Sequence, residues 1–362
     1  MIPVYQPYLN GNERMYVDEC LDTTWISSKG RFVTEFENSF TKYIGVEYGT
    51  AVCNGTVAIH LAMVALGIGP EDEVIVPTFT YIASVNPIVQ VGAIPIFVDS
   101  DPITWQVDPS DILRKITPKT KAIVVVHLYG HPCNMDAIIN IAREHALFII
   151  EDCAEAIGSM YKGQKVGSFG DVACFSFFGN KTITCGEGGM VLTRDATLID
   201  RLVHLKGQGL AKYREYWHDT IGFNYRMTNI QAAIGLAQLE QISEIIDKKQ
   251  KIASLYQNLL SSLDITFHTT QDNNVFHTYW MCSILTMSPK QRDPLREHLR
   301  KAGIETRPTF YPIHTMPMYS KRYERHRVAE DVSLRGINLP SYPGLALADQ
   351  EFICQKINEF YA

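Results

Sequence analysis

Lys181 sits where a lysine is out of place. The segment Ser176-Phe-Phe-Gly-Asn-Lys181-Thr-Ile-Thr-Cys-Gly-Glu-Gly-Gly189 carries it just past an apolar run and just before a glycine-rich turn. An ammonium is costly to bury unless it is paired or neutralised. A lysine that forms a Schiff base with a carbonyl escapes that cost and becomes a covalent catalyst. The alternative is an ordinary surface lysine in a loop. A second group bears on the choice. Asp152, in Ile149-Ile-Glu-Asp152-Cys-Ala-Glu155, follows directly on another apolar run. A carboxylate there suits the ring nitrogen of pyridoxal phosphate (PLP), an electron sink that works best when that nitrogen keeps its proton. A helix cap or a turn residue is the competing reading.

A third segment offers a phosphate site. Cys53-Asn-Gly-Thr56 opens a helix pattern running from Thr56 to Leu66. Free N–H groups at Gly55 and Thr56 and a hydroxyl at Thr56 would meet a phosphate. Capping by Asn54 or Thr56 explains the same residues equally well. Ser176 adds a second hydroxyl. Tyr81, in Pro77-Thr-Phe-Thr-Tyr81, follows a strand pattern and is placed either to stack on a ring or to fill the core. Asn224, in Gly222-Phe-Asn-Tyr-Arg226, precedes a long helical pattern and reads alternatively as its cap.

The elements that must position these residues read as α/β. Short apolar runs at 73–77, 94–98, 122–126 and 147–151 lack alternation, as strands covered on both faces do. Runs at 172–178 and 189–193 look like two more. Helix patterns such as 56–66 and 135–145 lie between several of them, which predicts a mainly parallel central sheet with helices on both faces. Such sheets bind ligands at the carboxyl ends of their strands. A long helical pattern follows from 227 to about 260, with an expected break near Asp247 to Lys251. Beyond it come a strand pattern at 279–285 and a helix at 293–302. We therefore expect a large domain over 1–244 and a smaller C-terminal α/β domain over 245–362.

Bulk properties exclude other classes. The chain has 362 residues, 46% of them hydrophobic, and a net charge of -6. No block of basic residues suggests a nucleic-acid partner. The eight cysteines form no Cys-x-x-Cys pair, which argues against a disulfide framework and a structural zinc site, so no metal is expected. No basic region followed by an apolar core opens the sequence, and no apolar run approaches the roughly 20 residues that span a bilayer. A cytoplasmic protein with no membrane partner is the expectation.

The motifs in order are Trp25-Ile-Ser-Ser, Gly30-Arg-Phe-Val33, Asn54-Gly-Thr56, Pro77 to Tyr81 and Glu151-Asp-Cys-Ala154. They continue with Ser176 to Gly189, Gly222 to Arg226, Arg307-Pro-Thr-Phe-Tyr-Pro312 and Leu339-Pro-Ser341. Together they resemble the DegT/DnrJ/EryC1/StrS sugar aminotransferases over nearly the whole chain. The resemblance implies PLP fold type I, with Lys181 as the Schiff-base lysine and Asp152 on the ring nitrogen. It implies Gly55, Thr56 and Ser176 at the phosphate and Tyr81 stacked on the ring. It also implies a homodimer with shared sites, Asn224 reaching the phosphate of the neighbouring subunit. Many relatives have Gln or His at the position of Glu155, beside the cofactor's 3-hydroxyl, so the glutamate here departs from the commoner pattern.

The resemblance further implies amino transfer from L-glutamate to a nucleotide-linked keto sugar. Phe175 to Thr184, Glu151 to Ala156 and Tyr216-Trp-His218 are most similar to members acting at C4 of GDP-4-keto-6-deoxymannose, whose amino sugar enters surface polysaccharide. A UDP- or dTDP-linked sugar is the alternative. Loops 25–31, 206–219 and 306–319 are where the sugar and nucleotide would bind, with Trp25, Ser27, Tyr311 and His314 as candidate contacts. His314 also reads as a structural loop histidine. A PLP-dependent dehydratase would have a histidine in place of Lys181. A non-catalytic regulator would need an added DNA-binding segment, and a Rossmann dehydrogenase would need an early Gly-x-Gly-x-x-Gly.

Overall fold

The computed structural model describes residues 1–270, 272–320 and 324–362. Seven strands form the central sheet: β1 (Tyr48–Val52), β2 (Glu73–Pro77), β3 (Ile94–Val98), β4 (Thr120–Val126), β5 (Phe148–Asp152), β8 (Val172–Ser176) and β9 (Gly189–Thr193). Two short strands, β6 (Met160–Tyr161) and β7 (Gln164–Lys165), lie between β5 and β8 in the chain. The spatial order is β1-β9-β8-β5-β4-β2-β3. β3, β2, β4, β5 and β8 run parallel, while β9 is antiparallel to both neighbours and so returns β1 to the common direction. The β-branched runs of the inner strands are buried, as in Val74, Ile75 and Val76 or Ile123, Val124 and Val125, whereas the edge strand β3 buries only Val98. Helices cover both faces, because continuous apolar strands leave neither face fit for water.

Expected boundaries hold for the helix Met135–His145 and start one residue early for Gly55–Leu66. The long C-terminal helical pattern differs. Helices Asn229–Glu240 and Ile242–Leu259 meet at Gln241, and the chain stays helical through Asp247 to Lys251, where a break was expected. The second helix serves two cores at once. Ile242, Ile245 and Ile246 pack with Phe36, Phe40 and Phe175, whereas Ile252, Ala253 and Tyr256 pack with Ile284, Leu339 and Ile357. The charges at 247–251 need no break, since Asp247 and Lys251 face solvent while the buried Lys249 donates to the Ser341 carbonyl at 2.7 Å. Residue 245 thus falls inside a continuous helix.

The C-terminal residues build an antiparallel sheet in the order β10-β12-β14-β13, from β10 (Thr266–Phe267), β12 (Cys282–Leu285), β13 (Arg307–Pro308) and β14 (Gly336–Leu339). A separate strand, β11 (Val275–Phe276), pairs with β6 in a three-stranded sheet with β7. The strand expected over 279–285 is shorter, because Tyr279 adopts φ +50 and interrupts extended backbone. The helix expected over 293–302 begins earlier, at Pro289, behind a capping box of Ser288 and Gln291.

Candidate active site

The carboxyl ends of β1, β5 and β8 converge on one edge of the sheet. Val52, Gly189 and Ser176 lie in one row across β1, β9 and β8. The chain leaves β1 and enters the helix Gly55–Leu66 directly above that row. Asn54 caps it by accepting the Val57 N–H at 3.0 Å. The cap uses that one donor, which leaves the Gly55 and Thr56 amides without a hydrogen-bond acceptor among the described residues. Capping and anion binding are therefore compatible here. A Cβ on Gly55 would lie 2.6 Å from the Ser176 Cβ, and one on Gly189 would lie 2.5 Å from the Asn54 carbonyl oxygen. Both positions need glycine for the helix end to come this close to Ser176.

A cavity of about 570 Å³ opens there. Gly55, Thr56, Tyr81, Asp152, Glu155, Ser176 and Lys181 all line it. These residues come from four separated segments, and the fold brings them together. Asp152 is buried, with Oδ2 accepting from the Ser84 hydroxyl at 2.7 Å and Oδ1 from the Ala154 N–H at 3.1 Å. Ser84 is in turn 2.9 Å from the Thr80 hydroxyl. Two such bonds fix the carboxylate in a buried place where it would otherwise lack solvation.

Lys181 reaches in from the loop between β8 and β9. Its Nζ stands 3.9 Å from the centre of the Trp280 ring and 3.6 Å from Glu155 Oε1. Glu155 is buried, and its Oε2 accepts the Tyr129 N–H at 2.9 Å. Burial pushes the Glu155 carboxyl up to about 7, against the opposing pull of Lys181 and of the Tyr129 amide. Tyr129 holds a left-handed backbone, φ +56, and is stacked between Trp280 and Phe310. That uncommon conformation presents its amide to Glu155.

Other expected site residues lie elsewhere. Asn224 is exposed, away from the cavity, with Oδ1 accepting from Arg226 Nε at 3.0 Å. It does not cap the following helix; Thr228 does, with Gln231 completing the box. Trp25, Ser27 and Tyr311 are also exposed and do not line the cavity. His314 is buried behind it, 2.7 Å from the Thr78 hydroxyl through Nδ1 and 3.4 Å from Glu330 through Nε2.

Ser84, Tyr129 and Trp280 were not anticipated. No local motif marks them, although Ser84 follows Tyr81 closely enough to have drawn attention. Arg307, Phe310 and Asn338 of the C-terminal segment also line the cavity.

Glu151, next to Asp152, points to the opposite face of the sheet. Its carboxylate accepts from the N–H groups of Gly167, Phe169 and Gly170 and from His127. Burial alone would raise it, but His127 and these amides outweigh that and hold it below the ordinary glutamate value. With Cys153 these residues have metal-like spacing. However, His127 Nδ1 accepts the Cys133 N–H, so Nε2 carries the proton given to Glu151 and neither nitrogen has a lone pair to offer.

Known proteins resemble the chain over nearly its whole length. A sequence profile of the DegT/DnrJ/EryC1/StrS aminotransferase family matches residues 7–358. A protein of Escherichia coli O157:H7 named GDP-perosamine synthase is 62% identical over 361 residues, covering 100% of this chain and 99% of its own. A GDP-perosamine synthase of Vibrio cholerae is 49% identical, covering 100% of this chain and 99% of its own. Among solved structures, DesV of S. venezuelae superposes with a TM-score of 0.91 at 33% identity, covering 96% of this chain and 94% of that one.

Proposed function

The chain belongs to the DegT/DnrJ/EryC1/StrS aminotransferase family, whose members depend on PLP, and from that premise we propose that it transfers the amino group of L-glutamate to C4 of GDP-4-keto-6-deoxy-D-mannose, forming GDP-perosamine. The carrying observation is one cavity that holds Lys181, Asp152, Ser176 and the open end of the helix Gly55–Leu66. The substrate reading rests on the two GDP-perosamine synthases, matched end to end at 62% and 49% identity.

The residues fit the cofactor. When bound, PLP supplies a conjugated ring that stabilises the negative charge left on carbon as its proton is removed. The Gly55 and Thr56 amides and the Ser176 hydroxyl hold its phosphate. The carboxylate of Asp152, braced by Ser84 and Ala154, keeps the ring nitrogen protonated. Tyr81, half open at the cavity with Phe310 at 5.7 Å, stacks on the ring. Lys181 would hold the cofactor covalently between turnovers, and its free amine would carry the proton to and from the substrate carbon. Glu155 would meet the 3-hydroxyl, and its raised affinity for a proton would let it donate or accept a hydrogen bond there near neutral pH. Phe178, Trp280, Met281 and Phe310 give the cavity apolar walls that exclude water from these steps.

The working unit in this reading is a homodimer. Asn224 lies on the segment after Gly207, where Tyr213, Tyr216 and Ile221 are between 74% and 93% exposed. Apolar groups so exposed suit burial against a second copy, which would carry Asn224 to the phosphate of the partner's site. The eight unpaired cysteines suit the reducing cytoplasm. No helix of the described residues is long and apolar enough to cross a membrane.

Two measurements test the proposal. Borohydride treatment of the purified protein should fix the pyridoxyl group on Lys181, as read by peptide mapping; an adduct on another lysine would remove Lys181 from its role. The kcat/KM values for GDP-, UDP- and dTDP-linked 4-keto-6-deoxy sugars with glutamate should favour the GDP sugar. A UDP or dTDP sugar preferred by more than about tenfold, roughly 1.4 kcal/mol, would overturn the substrate while leaving the family intact.

A further inference from the structure

The carbonyls of Asn180 and Lys181 are held from outside their own loop. The Tyr5 hydroxyl donates to the Lys181 carbonyl at 2.5 Å, and the Trp280 indole N–H donates to the Asn180 carbonyl at 2.6 Å. Two consecutive carbonyls are thus taken by two aromatic side chains, one from the start of the chain and one 100 residues further on. Within the β8–β9 loop the Lys181 N–H donates to the Phe178 carbonyl at 2.9 Å, and the other bonds serve the loop's base. Phe177 pairs with Gly188, and Cys185 and Thr184 both donate to the Phe177 carbonyl.

Tyr5 is itself tethered to the C-terminal sheet and its surroundings. Ile2 forms an isolated bridge with Ile304 through bonds to Gly303 and Glu305, the Val4 N–H donates to Glu305 Oε2 at 3.0 Å, and the Val4 carbonyl accepts from Ser341 at 3.3 Å. The fully buried Lys249 closes the arrangement. Its ammonium donates to the Ser341 carbonyl at 2.7 Å and stands 5.4 Å from the centre of the Tyr5 ring. The Tyr5 ring packs against both the central-sheet core and the C-terminal core. Burial pushes its phenol well above the ordinary value, so the hydroxyl keeps its proton and stays a donor.

We propose that Tyr5 and Trp280 are positioning residues for Lys181, a two-point clamp that fixes its main chain so that the amine points into the cavity. Trp280 has a double part, since its ring face also lies 3.9 Å from Nζ. Without the two donors, adjacent carbonyls would be left to seek other partners, and the loop would turn to find them. The amine would then meet the cofactor's aldehyde less often, although the phosphate site, built from the helix Gly55–Leu66 and Ser176, would be untouched. The clamp rests on the reading of Lys181 as the cofactor lysine.

Apoprotein separates these two effects. Pyridoxine 5'-phosphate has the phosphate and ring but no aldehyde, so its Kd reports binding alone. The first-order rate at which bound PLP becomes reducible onto Lys181 reports positioning. Tyr5→Phe deletes one hydroxyl, and Trp280→Phe deletes one N–H while keeping an aromatic face. Each variant should slow attachment by about tenfold, and Tyr5→Phe, whose side chain is not among those lining the cavity, should leave the pyridoxine 5'-phosphate Kd within about twofold. Attachment at the wild-type rate in either variant overturns the clamp. So does an equal loss of pyridoxine 5'-phosphate binding in Tyr5→Phe, which would mark a scaffold role. Failure of the wild type to attach PLP at Lys181 would instead strike the proposed function.

Discussion

The carboxyl of Glu155 stands 3.6 Å from the amine of Lys181, and a backbone amide from the left-handed Tyr129 holds its other oxygen. This buried acid binds its proton more tightly in the folded chain than outside it, near about 7 against an ordinary 4.5. Between those values the folded state carries a proton that the unfolded state has lost. Stability from this group is therefore fully present below about 4.5 and is lost as pH rises through about 7. The full change amounts to about 3 kcal/mol, at about 1.4 kcal/mol per pH unit. Glu155→Gln should remove it, so that urea unfolding of the apoprotein shows the variant gaining on the wild type between pH 5 and pH 8. A wild-type-to-variant difference equal at both pH values would contradict this.

Asp152→Asn should retain PLP but lower kcat by at least about 100-fold, since an amide cannot hold a proton on the ring nitrogen by charge. Ser84→Ala should act in the same direction and more weakly, by about tenfold, the worth of one hydrogen bond to a charged group. Its hydroxyl bonds Asp152 Oδ2 at 2.7 Å. Normal turnover of Asp152→Asn with an intact fold would remove Asp152 from the mechanism.

Gly55→Ala should weaken PLP binding by at least about tenfold. The added Cβ would lie 2.6 Å from the Ser176 Cβ and 3.2 Å from its Cα, so the helix end must withdraw from the strand it approaches. Strain of this kind costs roughly 1–3 kcal/mol. Fluorescence titration of the apoprotein with PLP measures the loss; an unchanged Kd would place the phosphate elsewhere.

Asn224 tests the shared site. Inactive Lys181→Ala mixed with inactive Asn224→Asp should regain activity, because a hybrid dimer carries both lesions in one site and neither in the other. With subunit exchange verified, no recovery would mean that each site is built within one chain.

Some of this architecture is legible in local chemistry. Lys181, Asp152, Ser176, Gly55 and Thr56 lie beside apolar strands or at a helix start, and parallel sheets gather such ends on one edge. Those residues, with Tyr81 and Glu155, do line one cavity. The break expected near Asp247 to Lys251 does not occur, because the buried Lys249 finds its acceptor in the distant Ser341 carbonyl, which no local pattern reports. Nothing in that stretch reports that the two ends of Ile242–Leu259 serve different cores.

The strand and helix periods, the residues at the strand ends and the glycines that permit close approach can all be read from the order of residues. All of these depend on neighbours within a few positions. Long-range packing is what lets Ser84 brace Asp152, Tyr129 hold Glu155, and Tyr5 and Trp280 grip the carbonyls of Lys181 and Asn180. It also set His314 behind the cavity rather than on its wall. These pairings join residues between 26 and 236 positions apart, and no local pattern encodes them. They follow from how the sheet, the C-terminal unit and the first five residues pack, because a buried donor must find an acceptor wherever the packing puts it.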